Sequence, residues 1–566
     1  MVKCTNDDGF PGALGRGCTG CHERRGALQC RECLLSERHR SPRRVGFRLP
    51  LGEGLGLRLS LPLCADDGVW GRAERWRTME GSQPEKNCLV RDVQPATTNQ
   101  GCLRQVFYSM VVASTALHLG MVVGWSGILM KQKNDPEAEV VVSEVDVVWL
   151  VSLLGLVWTF SSFVSGPLME HLGLRRLLLL SLLPSSLCWL LLAFPLATWV
   201  IYVGRVGTCV TAGIINTILQ PLLAELCQPR YRGFVLTLPE IMVSVGLLFS
   251  YALPRFLSWQ VSAALLAAPF LPMSLLMLLV PESPYWLLKR DKKDEAKKVL
   301  LRLDPSCDVT EEISTIKSSC ADDPTFLEQV QQLKKGRNAR PVLLVLSHFL
   351  LRELGGPSVI FMYSAYMFAL AGVQLDAFTC SILVGAMRLL ATMASALVSD
   401  RVGRRAMLLC TAVVCAAAQA VAGGALLLGS DKTLGGGALS LIPLVAVLLY
   451  VAFYGVGLAP IPWVLVGELL PTAVRSLGAA IVSSVFALSV FVINFIFPSL
   501  IALLSLGGTF LLFAVVNASL ALVVFFFLPE TSGLTLKEVE LAFASKNRLV
   551  RDNTEEVCRN EEKVDV

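Results

Sequence analysis

A short charged motif occurs twice in this chain, each time at the end of an apolar stretch long enough to cross a membrane. Glu225 is followed seven residues later by Arg232, and Glu468 is followed seven residues later by Arg475. A long-period repeat of fixed charges beside membrane-length segments is typical of membrane carriers built from two related halves. Two further motifs recur in the same order: Glu170, Gly173, Arg175 and Arg176 return as Asp400, Gly403, Arg404 and Arg405, and Pro281, Glu282 and Ser283 return as Pro529, Glu530 and Thr531.

Composition also places the chain among integral membrane proteins. Of its 566 residues, 54% are hydrophobic and 17% are charged, and the mean hydropathy is +0.58. A helix that crosses a hydrocarbon layer of roughly 30 Å needs about 20 apolar residues. The apolar runs are continuous rather than alternating, which favours helices over a β-barrel. Twelve spans are predicted, at about 105–130, 145–168, 174–196, 199–223, 234–256, 260–281, 341–370, 377–398, 406–429, 439–466, 476–503 and 507–528.

The distribution of basic residues predicts the topology. Lysine and arginine are concentrated in the loops after the even-numbered spans, including the long loop between the sixth and seventh. The opposite loops carry few basic residues: Lys131, Lys133, Arg255 and Lys432. Because basic loops stay on the cytoplasmic side of a membrane, both termini and the central loop are predicted to be cytoplasmic.

The same patterns predict the domain boundaries. Residues 1–78 are rich in Arg, Gly and Pro without apolar periodicity, so they are expected to be a disordered extension or a mispredicted start, with translation beginning at Met79. Four of their cysteines form two CxxC pairs that are closer together than in a zinc ribbon, so no metal site is expected. The remaining segments are a cytoplasmic lead (79–104), six spans (105–281), a cytoplasmic linker with short amphipathic helices (282–340), six further spans (341–528) and a cytoplasmic tail (529–566).

The motifs together resemble the sugar porter branch of the major facilitator superfamily over residues 103–545. Within that branch, GWS at 124–126 and VGAMRLL at 384–390 look most like arthropod facilitated trehalose and glucose transporters. The residues that carry the wider resemblance are Gly204 with Arg205, Glu225 with Arg232 and Gly233, PESPYWLL at 281–288, DRVGRR at 400–405, PIPW at 460–463, Glu468 with Arg475, and PETSGLTLKEVE at 529–540.

This resemblance implies both a fold and a function. The fold is an all-α membrane protein whose two six-helix bundles surround a central cavity. The function is transport of a sugar, or a similar small polar solute, by alternating access, without a cofactor and without enzymatic activity. The expected partners are the solute and the lipid bilayer but no nucleic acid, and the expected state is a monomer. The plasma membrane is the expected location, with an endosomal or lysosomal membrane as the alternative.

Charged side chains near the helix ends are predicted to form a gate. Opposite charges that pair in one conformation and separate in another can bias alternating access by a few kcal/mol. Simple anchoring of the helices is the alternative role, and it fits Arg205 least because an ionisable group at membrane depth is costly. Glu170, His171 and Leu174 depart from the family's usual Asp, Arg and Arg, which predicts a weaker gate in the first half. The gating candidates are Glu170, Arg175, Arg205, Glu225, Arg232, Asp400, Arg404, Glu468 and Arg475.

The predicted binding cavity departs further from the family. Sugar porters hold hydroxyl groups with neutral amides and an aromatic side chain. In the seventh span, residues 352–358 replace the family's Gln-Gln-Leu-Ser-Gly-Ile-Asn, and in the fifth span Glu240 replaces a glutamine. Phe486 and Ala487 occupy the expected Asn and Trp positions of the eleventh span. The substrate-binding candidates are Glu240, Arg352, Glu353, Ser358, Tyr363 and Trp463.

Three functions are compatible with this altered cavity. The favoured one is a facilitator of a sugar or another small polar solute, with Glu240, Arg352 and Glu353 as altered ligands. The second is proton-coupled transport through an ion pair between Glu240 and Arg352, although Leu119 stands where sugar/proton symporters carry an aspartate. The third is a nutrient sensor that no longer transports, although the tail after residue 545 is short.

Overall fold

The computed structural model describes residues 99–530, except 139, 228–231, 306–307, 322–325, 429–440 and 472–473. The segment 1–78, its CxxC pairs and the tail beyond Glu530 lie outside the described residues. Every regular element in the described part is helical. The helices that precede the linker are α1 (Asn99–Ser114), α2 (Leu117–Gly124), α3 (Ser126–Lys133), α4 (Glu144–Leu172), α5 (Leu174–Ala193), α6 (Thr198–Leu226), α7 (Arg232–Phe256), α8 (Trp259–Ala267) and α9 (Phe270–Met277).

The linker contains four short helices, and the second group of membrane-length helices follows it. The linker helices are α10 (Pro284–Lys289), α11 (Lys293–Leu303), α12 (Val309–Ala321) and α13 (Phe326–Leu333). The helices after the linker are α14 (Gly336–Leu354), α15 (Pro357–Met362), α16 (Ser364–Leu370), α17 (Ala377–Val402), α18 (Arg404–Leu428), α19 (Ile442–Phe453), a π-helical turn (Tyr454–Leu458), α20 (Ile461–Leu469) and α21 (Arg475–Phe527).

Eleven helical segments among the described residues are long and apolar enough to cross a membrane. Ten of them overlap the first ten predicted spans. The last, Leu477–Phe527, has 51 residues and covers both the eleventh and the twelfth predicted spans. Its helical geometry is interrupted at Ser505, whose φ of 64° and ψ of 171° are not helical.

The predicted seventh span is broken in the middle. α14 ends at Leu354, and Gly356 follows with a φ of +86°, a left-handed conformation that glycine adopts without steric cost. Pro357 then begins α15, because proline suits the first turn of a helix, where its missing N–H has no partner to lose. The sequence Gly355-Gly356-Pro357 therefore ends one helix and starts the next.

The helices before and after the linker pack against each other along two seams. α4 packs against α21, and α7 packs against α17. Along the second seam, the Ser244 and Thr392 hydroxyls lie 3.1 Å apart, and this contact fixes the register of α7 on α17. The Tyr251 hydroxyl of α7 also donates to the Phe361 carbonyl of α15.

Candidate functional site

Four charged side chains lie near one another where α7, α14 and α17 meet. Arg388 Nη2 lies 3.4 Å from Glu240 Oε2, which joins α17 to α7. Arg352 Nη2 lies 3.5 Å from Oε2 of the adjacent Glu353, and both residues are buried. The structure thus pairs Glu240 with Arg388 and Arg352 with Glu353, whereas the sequence analysis considered a pair between Glu240 and Arg352.

Aromatic rings surround the two arginines. The Arg352 guanidinium lies 4.9 Å from the Phe486 ring centroid and 5.2 Å from that of Phe349, and Arg388 lies 4.5 Å from that of Phe361. Trp463, the aromatic candidate from the sequence, packs edge-to-face against Phe349 at 4.8 Å. Ring faces stabilise a desolvated guanidinium electrostatically, so this surrounding offsets part of the cost of burying two cations.

Each of the two guanidinium groups has one N–H group that could donate a hydrogen bond to a solute. In the described part of the chain, Nε of Arg352 and Nε of Arg388 are buried without a hydrogen-bond partner. A buried donor without an acceptor costs free energy. A solute that presents hydroxyl oxygens to these N–H groups would recover that free energy.

Ser358 and Tyr363 both form hydrogen bonds with Asn494, a residue that the sequence analysis missed. Ser358 contacts the side-chain amide of Asn494, and Tyr363 contacts its main-chain carbonyl. Asn494 Nδ2 donates to Ser358 Oγ at 2.9 Å, and the Tyr363 hydroxyl donates to the Asn494 carbonyl at 3.2 Å. Asn494 is fully buried, and its Oδ1 has no partner among the described residues. The signal was a single asparagine in an apolar run, two turns after the positions at which the family pattern placed the amide.

Arg388 is the second residue that the sequence analysis missed. It lies within VGAMRLL at 384–390, one of the segments that carry the family resemblance. A lone arginine in the middle of the 26-residue α17 was the available signal, because such residues are rare in spans unless they have a partner.

A buried amide cluster supports the break between α14 and α15. Gln419 Nε2 donates to the Gly355 carbonyl at 2.8 Å, and Asn517 Nδ2 donates to Gln419 Oε1 at 2.7 Å. A helix break leaves carbonyls without their usual partners, and side chains can take the place of those partners. This cluster, also missed from sequence, positions the segment that carries Ser358.

In the second half, the repeated motifs meet at one helix start. The Glu530 carboxylate accepts from the backbone N–H groups of Arg404 at 2.9 Å and Arg405 at 3.2 Å. Arg405 Nη2 donates to the Phe525 carbonyl at 2.6 Å. Arg404 Nε lies 3.6 Å from Glu468 Oε1. The start of α18 is thus tied to the ends of α20 and α21.

The first half repeats this arrangement with one difference. Glu282 Oε1 accepts from the backbone N–H of Arg175 at 2.9 Å, and Arg175 Nη2 donates to the Leu278 carbonyl at 2.8 Å. Counting from the glycine that precedes each helix, Leu174 occupies the position of Arg404, and Leu174 is buried. Glu225 instead accepts a hydrogen bond from the Ser283 hydroxyl.

Arg205 lies apart from the helix-end charges. Its Nε donates to the Leu150 carbonyl at 2.8 Å and its Nη1 to the Val122 carbonyl at 2.9 Å, and its exposed fraction is 0%. It precedes Glu225 by 20 positions on α6, which is about 30 Å along a helix. Arg205 therefore connects three helices of the first half, far from Glu225.

The other gating candidates lie at helix ends. The Glu170 carbonyl accepts from Trp286 Nε1 at 2.9 Å, and the Glu170 side chain is exposed. Arg475 begins α21 and Arg232 begins α7. The side chains of Arg232 and Asp400 lie outside the described residues.

Gly173 and Gly403 allow the carboxylate contacts. Their φ angles are +89° and +87°, and an added Cβ would lie 2.8 Å from Glu282 Oε2 and 3.2 Å from Glu530 Oε2. We expect Gly173→Ala and Gly403→Ala each to lower the free energy of unfolding by roughly 1–3 kcal/mol, because with ψ angles of 158° and 147° both residues adopt a backbone conformation that is almost exclusive to glycine. Thermal unfolding measures this effect. Gly166→Ala is the control, since it lies in α4 with no atom near the added Cβ, and equal destabilisation by it would contradict the prediction.

Comparison with known proteins identifies the family. The profile of the sugar (and other) transporter family matches residues 102–543. The chain belongs to this family. A facilitated trehalose transporter (Tret1) of Bombyx mori is 28% identical over 422 residues, which cover 74% of this chain and 83% of that protein. The Tret1 of Aedes aegypti is 29% identical over 447 residues, 76% of this chain but only 55% of that protein.

Similarity to solved structures shows the fold of this protein. The proton:xylose symporter XylE bound to 6-bromo-6-deoxy-D-glucose has a TM-score of 0.66 at 20% identity, over 78% of this chain and 100% of that one. A partially occluded, inward-open XylE has a TM-score of 0.64 at 19% identity, over 76% of this chain and 100% of that one. The likeness shows the major facilitator fold. The chain is thus a multi-pass membrane protein from a family of transporters rather than enzymes.

Proposed function

We propose that this protein moves a sugar such as trehalose or glucose across a membrane by facilitated diffusion through alternating access. The observation that carries the proposal is the cluster of charged and aromatic side chains between α7, α14 and α17, which draws on helices from both sides of the linker. The relatives named as facilitated trehalose transporters support the choice of substrate. We further propose that the protein acts as a monomer in the plasma membrane.

The charged cluster would replace the amides of other sugar porters. Guanidinium N–H groups donate hydrogen bonds to hydroxyl oxygens, and carboxylates accept hydrogen bonds from hydroxyl groups. Arg352 and Arg388 could therefore donate to a polyol, while Glu240 and Glu353 accept from it. The ring of Trp463 would cover the apolar face of the sugar. Ser358 and Tyr363, which both form hydrogen bonds with Asn494, would line the same cavity.

We also propose the topology that the family fold implies. A straight helix of 51 residues would measure about 76 Å, more than twice the thickness of a hydrocarbon layer. Leu477–Phe527 would therefore cross the membrane twice and turn near Ser505. This gives twelve spans in two six-helix bundles, with boundaries as predicted from sequence and with both termini and the linker in the cytoplasm.

The contacts at the helix starts would act as the gate. The Arg404–Glu468 contact and the Glu282 and Glu530 caps hold helix ends together on the side that we assign to the cytoplasm. Arg475, Arg232, Asp400 and Glu170 lie at neighbouring helix ends and would join this network in one conformation. The Arg205 contacts would keep the first bundle rigid while the gate opens.

Leu174→Arg is expected to strengthen the first-half gate. The variant places a guanidinium at the position that Arg404 occupies in the second half, within reach of Glu225. A stronger contact in one conformation slows its exchange with the other, and about 1 kcal/mol corresponds to roughly fivefold slower uptake. Uptake rates of reconstituted protein measure the effect.

The double variant Leu174→Arg/Glu225→Gln is the control for this experiment. It retains the larger side chain but removes the charged partner, so its uptake should return toward that of the wild type. Slow uptake in the double variant would show that packing, and not pairing, is responsible.

The Glu240–Arg388 contact also favours a second candidate, a proton-coupled carrier. The Glu240 side chain is 23% exposed and lies beside the buried Arg388, and acidic side chains within membrane spans often belong to proton relays. Protonation of Glu240 would release Arg388 to bind a solute. Under this alternative, uptake rises as the external pH falls.

Substitution of Trp463 tests sugar binding at the proposed site. We expect Trp463→Ala to weaken binding of labelled trehalose or glucose by at least about fivefold, because stacking on an aromatic ring contributes roughly 1 kcal/mol beyond the area buried. Trp199→Ala is the matched control, since Trp199 is exposed at the start of α6. Equal loss in both variants, or no loss in Trp463→Ala, would contradict the proposed site.

A further inference from the structure

A cavity of about 440 Å³ opens beside the start of the first span, at a distance from the central site. Its walls come from three segments: α1, the residues that follow α9, and the linker helix α11. Two of its lining residues are arginines, and the others are apolar or aromatic. The lining residues are Leu103, Arg104, Phe107, Tyr108, Leu279 and Arg302.

Arg302 is held in place at the cavity. Its Nε donates to the Tyr108 hydroxyl at 2.9 Å and its Nη2 to the Leu279 carbonyl at 3.1 Å. Its guanidinium also lies 5.4 Å from the Tyr108 ring centroid. Five N–H donors are available on a guanidinium, and these contacts use two of them, so a positioned fork of donors remains for an anion.

The linker helix that carries Arg302 is fixed against the first span. Gln105 Nε2 donates to the Leu303 carbonyl at 3.2 Å, which joins α1 to the end of α11. Arg104 is the neighbour of Gln105 in sequence and is exposed. Two arginines from different segments therefore line one opening.

The apolar wall of the cavity faces outward. Leu103 is 72% exposed, and Phe107 and Leu279 are also exposed. These residues belong to the ends of the first and sixth membrane-length segments, so in a bilayer they would contact acyl chains rather than water. The cavity thus combines two cations with a lipid-facing apolar surface.

The surrounding charge is also basic. Lys297 and Lys298 are exposed on α11, and Lys298 lies one turn before Arg302 on the same face. The helix also carries two carboxylates in its first turn, Asp294 and Glu295, and Glu295 lies 3.1 Å from Lys292. A basic cluster at the cytoplasmic membrane surface attracts the anionic lipids of that leaflet.

We propose that this cavity binds one anionic phospholipid of the cytoplasmic leaflet. Arg104 and Arg302 bind its phosphate, and Leu103, Phe107 and Leu279 contact its acyl chains. The bound lipid connects the linker to the first bundle and so restrains the segment that joins the two halves. This site lies outside the transport pathway, so the proposal does not depend on which solute is carried.

Native mass spectrometry of the purified full-length protein tests the proposal with phosphatidylserine and phosphatidylcholine. The wild type is expected to retain one phosphatidylserine in preference to phosphatidylcholine. Arg104→Gln/Arg302→Gln should bind phosphatidylserine about 25-fold more weakly, since each basic residue near the surface contributes roughly fivefold. Lys317→Gln/Lys334→Gln is the control, because it removes the same charge from exposed linker positions away from the cavity.

Two further measurements separate loss of the lipid contacts from unfolding of the site and from binding of the headgroup alone. Arg104→Gln alone leaves both Arg302 contacts intact and should weaken binding about fivefold without lowering thermal stability. Glycerophosphoserine, the headgroup without acyl chains, should not displace the lipid. Unchanged binding in the double variant, equal loss in the control, or displacement by the soluble headgroup would each overturn the proposal.

Discussion

Arg388→Gln is expected to lower the free energy of unfolding by about 2–4 kcal/mol and to abolish sugar uptake. The substitution leaves Glu240 within a membrane-length segment without its cation, and breaking a buried ion pair from one side costs about 3–5 kcal/mol. Because 23% of the Glu240 side chain is exposed, we expect a loss of stability toward the lower end of that range. The contact also joins α7 to α17, so its loss removes a link between the two groups of helices. Thermal unfolding and uptake by reconstituted protein measure the two effects.

Two variants separate pairing from other causes. Glu240→Gln/Arg388→Gln removes both charges and should recover most of the lost stability, because no uncompensated charge remains. Arg255→Gln removes an arginine from the same seam, where it lies 3.2 Å from Asp376 with both side chains about half exposed. An exposed pair of this kind contributes at most about 1 kcal/mol. If Arg255→Gln were as damaging as Arg388→Gln, the account of a buried pair would be wrong.

Arg205→Met is expected to be the most destabilising single substitution in the first half, by about 3–5 kcal/mol. Arg205 is fully buried and donates to carbonyls of α2 and α4 from its own helix, α6. Hydrogen bonds from a charged group contribute about 1.5–3 kcal/mol each, and methionine replaces only the packing volume. Loss of folded protein after purification and a lower unfolding temperature are the measurements.

Arg205→Lys provides the comparison. Lysine keeps the charge but lacks the planar fork that reaches two carbonyls at once, so an intermediate loss is expected. Stability and uptake equal to the wild type in Arg205→Met would contradict the role of Arg205 as the link between three helices.

Sequence alone predicted the spans and the repeat because these depend on local composition. Runs of about 20 apolar residues identify a membrane helix wherever it packs. The repeated Glu282 and Glu530 motifs likewise have matching contacts with the helix starts at Arg175 and Arg404. The non-helical residue Ser505 lies within α21 at the boundary that the sequence predicts between the eleventh and twelfth spans.

The central site could be predicted only in part, because its contacts depend on how helices pack. Glu240 was identified as a charged residue in a span, but its partner depends on the register of α7 on α17, which no local pattern encodes. Arg388 and Asn494 were missed for the same reason. Each lies in a mostly apolar helix, and each makes its contact with a residue on another helix.

Uptake by proteoliposomes that contain the full-length protein tests the central claim most directly. Labelled trehalose and glucose would be offered at about pH 5.5 and about pH 7.5, so that any dependence of uptake on the external proton concentration is measured. The account predicts saturable uptake of at least one sugar, equal at both pH values and lost in Arg388→Gln. Uptake of neither sugar by correctly inserted wild-type protein would contradict it, and uptake that rises at the lower pH would favour the proton-coupled alternative.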